Sequence, residues 1–271
     1  MTDFENFLIR NVDEWAKNVP EKIAEGVKYY LFAEGKRIRP QCFLQSYAMF
    51  GQPDESAYCF ALGIECYHNF TLVHDDLPCM DDDDIRRGKP SCHKIYGEGQ
   101  AVLIGDALQN LAYTYILKAI SLAENKDRAI RAATLFNSLV GGEGLIGGQS
   151  VDIDENTIID ENTLKFIYKH KTCDLIEASI VCGAIMAGAD QKKIKLLSDF
   201  AYYYGCVFQL TDDILDKDKK EKNSILTIRS EKEARQLVDD LATAAKDTLL
   251  FVKNDAEYFI SLLEKTVNRK K

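Results

Sequence analysis

The position of its prolines is the feature that most restricts how this chain can fold. The five prolines all lie within residues 1–90, and residues 91–271 contain none. Proline breaks helices because it lacks the backbone N–H and its ring collides with the preceding turn. Apolar residues also recur at the three- and four-residue spacing of a helix face, as at Leu164, Ile167 and Tyr168. The sequence therefore predicts an all-α fold.

Turn-forming stretches punctuate the helical pattern without dividing the chain into domains. They are GQPDES (51–56), DIDENTIIDENT (152–163) and GAD (188–190). The sequence has no long internal repeat, and no linker rich in Gly, Ser or Pro separates one part from another. We predict a single domain spanning residues 1–271, with about ten or more long helices at the lengths usual in globular proteins.

Composition and charge exclude several classes of protein. Lys and Arg number 34 against 43 Asp and Glu, a net charge of −9, which argues against a nucleic-acid partner. No uncharged apolar run is long enough to span a membrane, and the N-terminal residues do not follow the pattern of a secretory signal peptide. The eight cysteines form no CxxC pair and several lie in apolar stretches, so we expect reduced core thiols in a cytoplasmic protein.

Two clusters of aspartate stand out against the apolar helical background. The first lies in LVHDDLPCMDDDDIRRGKP (72–90) and the second in FQLTDDILD (208–216). Asp212 and Asp216 are four residues apart, so both carboxylates project from one helix face, where like charges repel. A cation is therefore expected between them, and hard oxygen ligands of this kind favour Mg²⁺. The run from Asp82 to Asp84 is expected to be a solvated acidic surface.

Clusters of cationic side chains predict a second kind of site. GKRIRP (35–40) places three cations within four residues, Arg86 and Arg87 follow the first aspartate cluster, and Lys171 lies in HKT (170–172). Guanidinium groups match phosphate oxygens bidentately, whereas lysine acts as a point charge. Together with the aspartate clusters, these cations predict a site for two diphosphates, one bound through metal and one bound directly.

The order of these motifs resembles that of a known family, the trans-isoprenyl diphosphate synthases or polyprenyl synthetases. GKRIRP is similar to the family's GKRLRP, and residues 65–98 resemble its first aspartate-rich region. GDAL (105–108), GGQSVDID (147–154), HKT and FQLTDDILD are similar to its later blocks, in the same order. The resemblance runs from about Lys36 to Ser224 and rests on six ordered blocks, two of them long.

The resemblance implies an isoprenoid synthase fold, in which long helices surround a central cavity and the two aspartate motifs face each other across its mouth. It also implies a magnesium-dependent reaction, with three Mg²⁺ ions expected per site, or Mn²⁺ in their place. An allylic diphosphate ionises to an allylic cation, the double bond of isopentenyl diphosphate attacks that cation, and a proton leaves. The implied partners are these two substrates and a second copy of the chain in a homodimer.

The resemblance also carries roles to individual residues of this sequence. The expected metal ligands are Asp75, Asp76, Asp81, Asp212, Asp213 and Asp216. Isopentenyl diphosphate is expected to contact Lys36, Arg39, His68 and Arg87, and the allylic diphosphate Arg86, Lys171, Thr172, Gln209 and Lys222. The residues expected to act in catalysis are Asp75, Asp81, Asp212, Lys171, Thr172 and Gln209. Ordinary core or surface roles are expected for His74, His93 and His170.

Product length is predicted from the helix that leads to the first aspartate cluster. Phe70 lies five residues before Asp75, or about 7.5 Å along a helix, where its ring would stop a growing chain. Phe70 beside the small Thr71, with the extra pair Pro78-Cys79 in the motif, resembles bacterial farnesyl diphosphate synthases. We predict a C15 product, farnesyl diphosphate, made from dimethylallyl or geranyl diphosphate, with C20 geranylgeranyl diphosphate as the alternative.

Two other functions fit the sequence less well. A class I terpene cyclase pairs a similar first motif with a differently spaced Asn/Ser/Glu motif, and it needs no pocket for isopentenyl diphosphate. A catalytically silent partner subunit is expected to have lost one aspartate motif, whereas both are present. The chain departs from the family's pattern after Asp216, where residues 216–228 are short and Lys222 to Ser224 is the best match to a longer, glycine-containing stretch.

Overall fold

The computed structural model describes residues 2–219, 222–252 and 254–269. Most of this part is helical, in α1 (Asp3–Ala16), α2 (Glu21–Leu31), α3 (Ile38–Ala48), α4 (Glu55–Asp75), α5 (Cys92–Tyr96), α6 (Glu98–Leu122), α7 (Lys126–Val140), α8 (Leu145–Ile153), α9 (Glu161–Ile167), α10 (Asp174–Ala187), α11 (Gln191–Leu215), α12 (Glu231–Val252) and α13 (Glu257–Val267). A π-helix, Tyr168–Cys173, joins α9 to α10. A short antiparallel hairpin, β1 (Ile85–Arg86) and β2 (Lys89–Pro90), follows α4. The prediction of an all-α fold with ten or more helices is confirmed.

The chain divides into two compact units, each assembled from two stretches of sequence. The first comprises Met1–Gln41 and Pro53–Lys126, and the second comprises Cys42–Gln52 and Asp127–Lys271. The boundary passes through α3, which gives its first turn to one unit and its remainder to the other. The single domain over residues 1–271 and its central cavity stay predictions.

Helix α4 forms the core of the first unit. It begins after Asp54, whose side chain caps the helix by accepting a hydrogen bond from the Ala57 amide at 2.9 Å. Residues 59–67 are buried on every side of the helix. A helix that is apolar all round lies inside a protein, so α4 is the central helix of this unit.

Helix α6 packs closely along α4. At Gly63 an added Cβ would lie 2.8 Å from the Ala112 carbonyl oxygen, so a glycine is needed for the two backbones to approach. Towards the other end, a Cβ at Gly105 would overlap the ring of His74. The two contacts run in opposite directions along the two sequences, so the helices are antiparallel. They fix the C-terminal end of α4, which carries Asp75.

Helix α10 is the central helix of the second unit. Twelve of its 14 residues are buried, which leaves no solvated face. Its Gly183 lies against α3, where an added Cβ would be 2.3 Å from the Phe43 carbonyl oxygen. The helix ends at Gly188, whose φ of 91° is the left-handed conformation that favours glycine. Asp190 then caps α11 by accepting from the Lys193 amide at 2.9 Å.

Two expectations about the environment of the chain concern its helices and its thiols. In the described ranges, no helix combines the length and the apolar character that crossing a membrane requires. All eight cysteines are free, and seven of them are buried. Buried cysteine behaves as a small apolar side chain, which agrees with the expected core thiols.

Candidate active site

The first aspartate cluster surrounds the C-terminal end of α4. Asp75 is the last residue of the helix, and the Asp81 amide donates to the Asp75 carbonyl oxygen at 2.9 Å. The loop between them therefore folds back on the helix end. The C-terminus of a helix carries a partial negative charge, so carboxylates there are destabilised unless a cation is close. The sequence thus places acids where a nearby cation is favourable.

Asp76 is held inside the protein by an arginine and a tyrosine. It is fully buried and accepts from Arg86 Nε at 2.8 Å, from Arg86 Nη2, and from Tyr30 Oη at 3.1 Å. Arg86 also binds Asp83 at 3.0 Å. Asp76 therefore orients Arg86 at the start of the β1–β2 hairpin. The metal role of Asp76 and the diphosphate role of Arg86 stay predictions.

His68 lies among guanidinium groups. Arg39 Nη1 is 3.2 Å from His68 Nε2, which makes Nε2 the acceptor and assigns the proton to Nδ1. Burial lowers the pKa of His68 well below its usual value, and the charges of Arg39, Arg87 and Arg37 lower it further. The enclosed Nδ1 has no hydrogen-bond partner among the described residues. A neutral histidine surrounded by cations is an environment suited to an anion.

A buried ion pair shapes the loop that carries Lys36 and Arg39. Arg37 Nη1 binds Glu65 Oε1 of α4 at 2.8 Å, and both side chains are at least nine-tenths buried. Arg37 also donates to two backbone carbonyls, and its φ of 48° is strained for a residue with a side chain. The sequence predicts Arg37 as one of the phosphate-binding cations and indicates no role for Glu65. The signal available in the sequence was that Glu65 is a charged residue inside the apolar run of α4.

Arg87 joins the same group of residues through the hairpin turn. Its φ is 53° and that of Gly88 is 73°, which forms the tight connection between β1 and β2. A Cβ at Gly35 would lie 3.3 Å from Arg87 Nη1, so the guanidinium rests directly on the GKRIRP loop. The structure thus brings Arg39, His68 and Arg87 together, as predicted for one diphosphate. Lys36 is exposed on the same loop.

A further acidic group lies just after Asp81. One carboxylate oxygen each of Asp82 and Asp84 and one ring nitrogen of His93 lie within 4.8 Å of one another, close enough to share a cation. Asp84 also binds Lys94 at 2.6 Å. The sequence predicts a solvated surface for these aspartates and an ordinary role for His93. Only the hairpin, which returns the chain to Asp84, brings the histidine to them.

The second aspartate cluster occupies the last turn of α11. Asp213 is buried and accepts from the Ile225 amide at 2.7 Å, from Gln209 Nε2 at 3.0 Å and from Tyr168 Oη. Thr172 Oγ1 in turn donates to Gln209 Oε1 at 2.8 Å. Asp213 therefore orients Gln209, and Gln209 orients Thr172. The structure therefore places Thr172 and Gln209 in direct contact, and their role towards the allylic cation stays a prediction.

Asp212 forms an ion pair with Arg269, which follows α13. The Arg269 guanidinium also lies over the Phe208 ring, 5.4 Å from its centre. Arg269 thus places a positive charge beside the Asp212 carboxylate at the negative end of α11, and the metal role of Asp212 stays a prediction. Sequence reasoning had not identified Arg269, which is separated from Asp212 by more than fifty residues.

The remaining predicted cations of the second unit, Lys171 and Lys222, bind Asp152 at the end of α8 and Glu155 just after it. Lys171 Nζ binds the Asp152 carboxylate, and Asn223 Nδ2 donates to the Asp152 carbonyl oxygen at 2.6 Å and to its carboxylate at 2.9 Å. Lys222 Nζ donates to the Glu155 carbonyl oxygen at 2.8 Å. The short stretch after Asp216 is thereby fastened to α8. Residues 220–221 of that stretch lie outside the described residues.

The remaining histidines and the predicted chain-length residues have packing contacts. His170 Nδ1 is 2.7 Å from the buried Asp174, and His74 Nε2 is 3.1 Å from the Val102 carbonyl oxygen. The Phe70 ring is almost buried and packs edge-on against Tyr67 and His74, with ring centres 5.1 and 4.9 Å apart. Thr71 Oγ1 donates to the His68 carbonyl oxygen at 2.8 Å.

The donors at both helix ends fit Mg²⁺. They are carboxylate oxygens, the ligands this ion prefers, and each set lies at the negative end of a long helix. Asp75 with Asp81 would hold the ion in the first unit, and Asp212 with Asp216 in the second. The number and the identity of the ions stay predictions.

Comparison with known proteins agrees with this arrangement. The family model described as polyprenyl synthetase matches residues 20–226. A chloroplastic geranylgeranyl pyrophosphate synthase of Catharanthus roseus is 40% identical over 75% of this chain and 57% of its own length. The large subunit 1 of a chloroplastic heterodimeric geranylgeranyl pyrophosphate synthase of Arabidopsis thaliana is 38% identical over 87% of this chain and 69% of its own. The chain thus spans little more than half of the first of these relatives.

Solved structures show the same fold. A geranyltransferase from Legionella pneumophila superposes with a TM-score of 0.89 at 28% identity, covering 99% of this chain and 94% of that one. An FPP/GFPP synthase from Zymomonas mobilis, in its apo form, gives a TM-score of 0.88 at 29% identity, covering 97% and 98%. The expected isoprenoid synthase fold is confirmed. By its sequence motifs, its fold and the match over residues 20–226, the chain belongs to the polyprenyl synthetase family.

Proposed function

We propose that this chain is a magnesium-dependent prenyltransferase that joins isopentenyl diphosphate to an allylic diphosphate. One observation carries the proposal. His68, in its pocket of guanidinium groups, and Asp75, at the helix end, both belong to α4. They are seven residues apart, which is about two turns, so they share one face of the helix about 10.5 Å apart along its axis. An anion pocket and a metal-binding carboxylate on one helix face suit a pair of diphosphate substrates.

The first unit would bind isopentenyl diphosphate directly. Arg39 and Arg87 supply charged donors that match diphosphate oxygens, and neutral His68 supplies an uncharged N–H donor. The ion pair of Arg37 with Glu65 keeps the loop in place without using a charge that the substrate needs. These groups would hold the substrate without touching the metal.

The second unit would supply groups for the allylic substrate. Mg²⁺, when bound, would stabilise the negative charge that develops on the departing diphosphate. Lys171 would bind that diphosphate. The oxygens of Thr172 and Gln209, oriented by Asp213, would face the positive charge left on the allylic carbon. The new carbon–carbon bond then forms, and the proton lost from isopentenyl diphosphate passes to the diphosphate that has left.

The test is the incubation of labelled isopentenyl diphosphate with each allylic starter, followed by chromatography of the products. Asp75→Ala and Asp212→Ala should each lower turnover by several orders of magnitude, because each removes a ligand of a catalytic ion. Asp239→Ala, on the exposed face of α12, is the matched control and should leave turnover unchanged. Near-wild-type turnover in either motif variant, or cyclised products formed without isopentenyl diphosphate, would contradict the proposal.

The proposed product is C15 farnesyl diphosphate, with C20 as the alternative. Phe70 supports C15, because its ring is fixed between Tyr67 and His74 on the helix that leads to Asp75. Phe70→Ala should shift the products towards C20 or longer. A wild-type enzyme that already makes mostly C20 from farnesyl diphosphate would show that Phe70 does not limit the chain.

We also propose that the protein is a cytoplasmic homodimer. Helix α6 supports the dimer, because Val102, Leu103 and Leu117 on it are 41%, 51% and 64% exposed. Exposed apolar groups on a long helix suit contact with a second helix. Sedimentation velocity should give twice the mass of one chain, and Leu117→Glu should shift the protein towards the monomer. A wild-type monomer at micromolar concentration would contradict the dimer.

A further inference from the structure

Two buried cysteines face each other in the second unit. Cys173 ends the π-helix and Cys206 lies in α11, and their sulfur atoms are 3.8 Å apart. They meet because α11 has a glycine beside them. A Cβ at Gly205 would lie 2.6 Å from Cys173 Sγ and 2.9 Å from Cys173 Cα, so no larger residue would permit this approach.

The surroundings of the pair favour reaction at Cys206. A hydrogen bond from the Cys173 thiol lowers the pKa of Cys206, and burial acts in the opposite direction. A hydrogen bond from Tyr202 and the charge of Lys169 lower that pKa further. Burial raises the pKa of Cys173. Cys206 keeps 8% of its surface exposed, whereas Cys173 has none, so a small reagent would meet Cys206 first.

Among the described residues, no other cysteine has this arrangement. Cys182 is buried in the same unit, but its thiol donates to the Ala132 carbonyl oxygen at 3.2 Å. Cys79 is the exposed thiol of the set. Only a close pair can form an intramolecular disulfide without a large movement of the backbone.

We propose that Cys173 and Cys206 are a modification site that hydrogen peroxide converts to a disulfide. The Cys206 thiolate attacks one peroxide oxygen, and the oxygen–oxygen bond breaks to give Cys206 sulfenic acid and hydroxide. The hydroxide takes up the proton that Cys206 had released. Cys173 sulfur then attacks Cys206 sulfur, the sulfur–oxygen bond breaks, and the thiol proton leaves with it as water. Two thiols are oxidised and one peroxide is reduced to two waters.

The disulfide would act on the groups proposed for the allylic substrate, and this step rests on the proposed function. Cys173 directly follows Thr172, and Cys206 lies three residues before Gln209. Closing the sulfur separation to about 2.05 Å requires a movement of about 1.7 Å. That movement would strain the hydrogen bond between Thr172 and Gln209. We expect turnover to fall at least about tenfold, since displacement of a positioned group by about 1 Å has effects of this order or larger.

The test uses the full chain carrying Cys79→Ser, which removes the exposed thiol and its intermolecular disulfides. Peroxide should lower the mass by two hydrogens, and peptide mapping should show Cys173 linked to Cys206. Dithiothreitol should remove the link and restore turnover. Cys173→Ala and Cys206→Ala should form no link. Cys206→Ala should keep its turnover in peroxide, whereas in Cys173→Ala peroxide should add oxygen to Cys206 without a link. The control Cys182→Ser should behave as its parent.

Each outcome decides one part of the inference. A chain in which peroxide leaves both thiols intact, or carries Cys206 to sulfinic acid without a link, would overturn the modification site. A link that leaves turnover unchanged would overturn its effect on Thr172 and Gln209. A reduced chain without any prenyl transfer would refute the proposed function instead, and the mass measurement would still decide the disulfide.

Discussion

His68 shows how a single residue can reveal the character of a site. Burial and the neighbouring arginines lower its pKa, so the folded protein keeps the ring neutral at pH values where an unfolded chain protonates it. Protonation therefore favours the unfolded state, and the stabilisation from neutral His68 is complete above its unfolded pKa. We expect the free energy of unfolding to fall as the pH drops below about 6.5, by at most about 1.4 kcal/mol per pH unit.

The measurement is urea unfolding of the wild type and of His68→Gln between pH 7.5 and 5. The variant cannot titrate at this position. The unfolding free energy of the wild type should therefore fall relative to that of the variant as the pH drops. A constant difference across this range would show that His68 titrates alike in the folded and unfolded states.

Arg39 and His68 also allow the two substrate pockets to be separated. Arg39→Ala or His68→Ala should raise the KM for isopentenyl diphosphate about tenfold or more, since hydrogen bonds to charged groups contribute about 1.5–3 kcal/mol. The KM for the allylic diphosphate should change little. Steady-state kinetics with each substrate varied in turn provides the measurement. A rise in the allylic KM alone would mean that the two pockets are assigned in reverse.

The roles of single residues could be predicted from the sequence where those residues belong to a local motif. The aspartate pairs, GKRIRP and HKT are local, and the structure gathers Arg39, His68 and Arg87 as those motifs predict. Glu65 and Arg269 were missed because their partners are distant in sequence. Glu65 begins the block 65–98 without a recognised role, and Arg269 lies outside every motif. Only the packing of helices brings such partners together.

At the scale of elements, the sequence correctly predicts a helix around Tyr168–Cys173. The structure adds that this helix is a π-helix. The pattern Leu164, Ile167, Tyr168 indicates helix, but periodicity does not set the hydrogen-bond register over Tyr168–Cys173. The π-helix is packed closely between α8 on one side and α11 on the other. A Cβ at Gly148 of α8 would lie 2.5 Å from the backbone nitrogen of Lys171, and a Cβ at Gly205 of α11 would lie 2.9 Å from Cys173 Cα. π-Helical turns are frequent at functional sites, and this one carries Lys171 and Thr172.

The same packing predicts the effect of adding one methyl group to α11. Gly205→Ala should destabilise the protein by about 1–3 kcal/mol, because the new methyl overlaps the Cys173 backbone as well as its sulfur. Gly99→Ala in α6 is the matched control, since nothing lies within 4 Å of its added Cβ. The control should be neutral or stabilise by up to about 1 kcal/mol. Thermal unfolding of both variants provides the measurement, and equal stabilities would refute the packing argument.

At the scale of the whole molecule, the fold class followed from the absence of proline after residue 90. The division of the chain into two compact units could not be predicted from the sequence. The absence of a linker predicts one domain, which stays a prediction, and it gives no sign of the two compact units that the contacts form, whose boundary passes through α3. A boundary inside a helix has no signature in composition, because each half of α3 follows the same local rules. Its position depends on which helices the side chains contact.

Metal binding should stabilise the whole chain, because the acids at the ends of α4 and α11 are brought together as a binding site only in the folded state. A ligand that binds only the folded state adds about 2.7 kcal/mol at 100 times its Kd, and the midpoint of a chain of this size rises by about 2–4 °C per kcal/mol. Mg²⁺ with inorganic diphosphate should therefore raise Tm by about 5–10 °C, and EDTA should reverse the rise. Asp75→Ala and Asp212→Ala should each lose most of it, while Asp239→Ala should keep it. If Asp212→Ala kept the full rise, the diphosphate complex would depend on the α4 carboxylates alone, and the assignment of metal to α11 would be wrong.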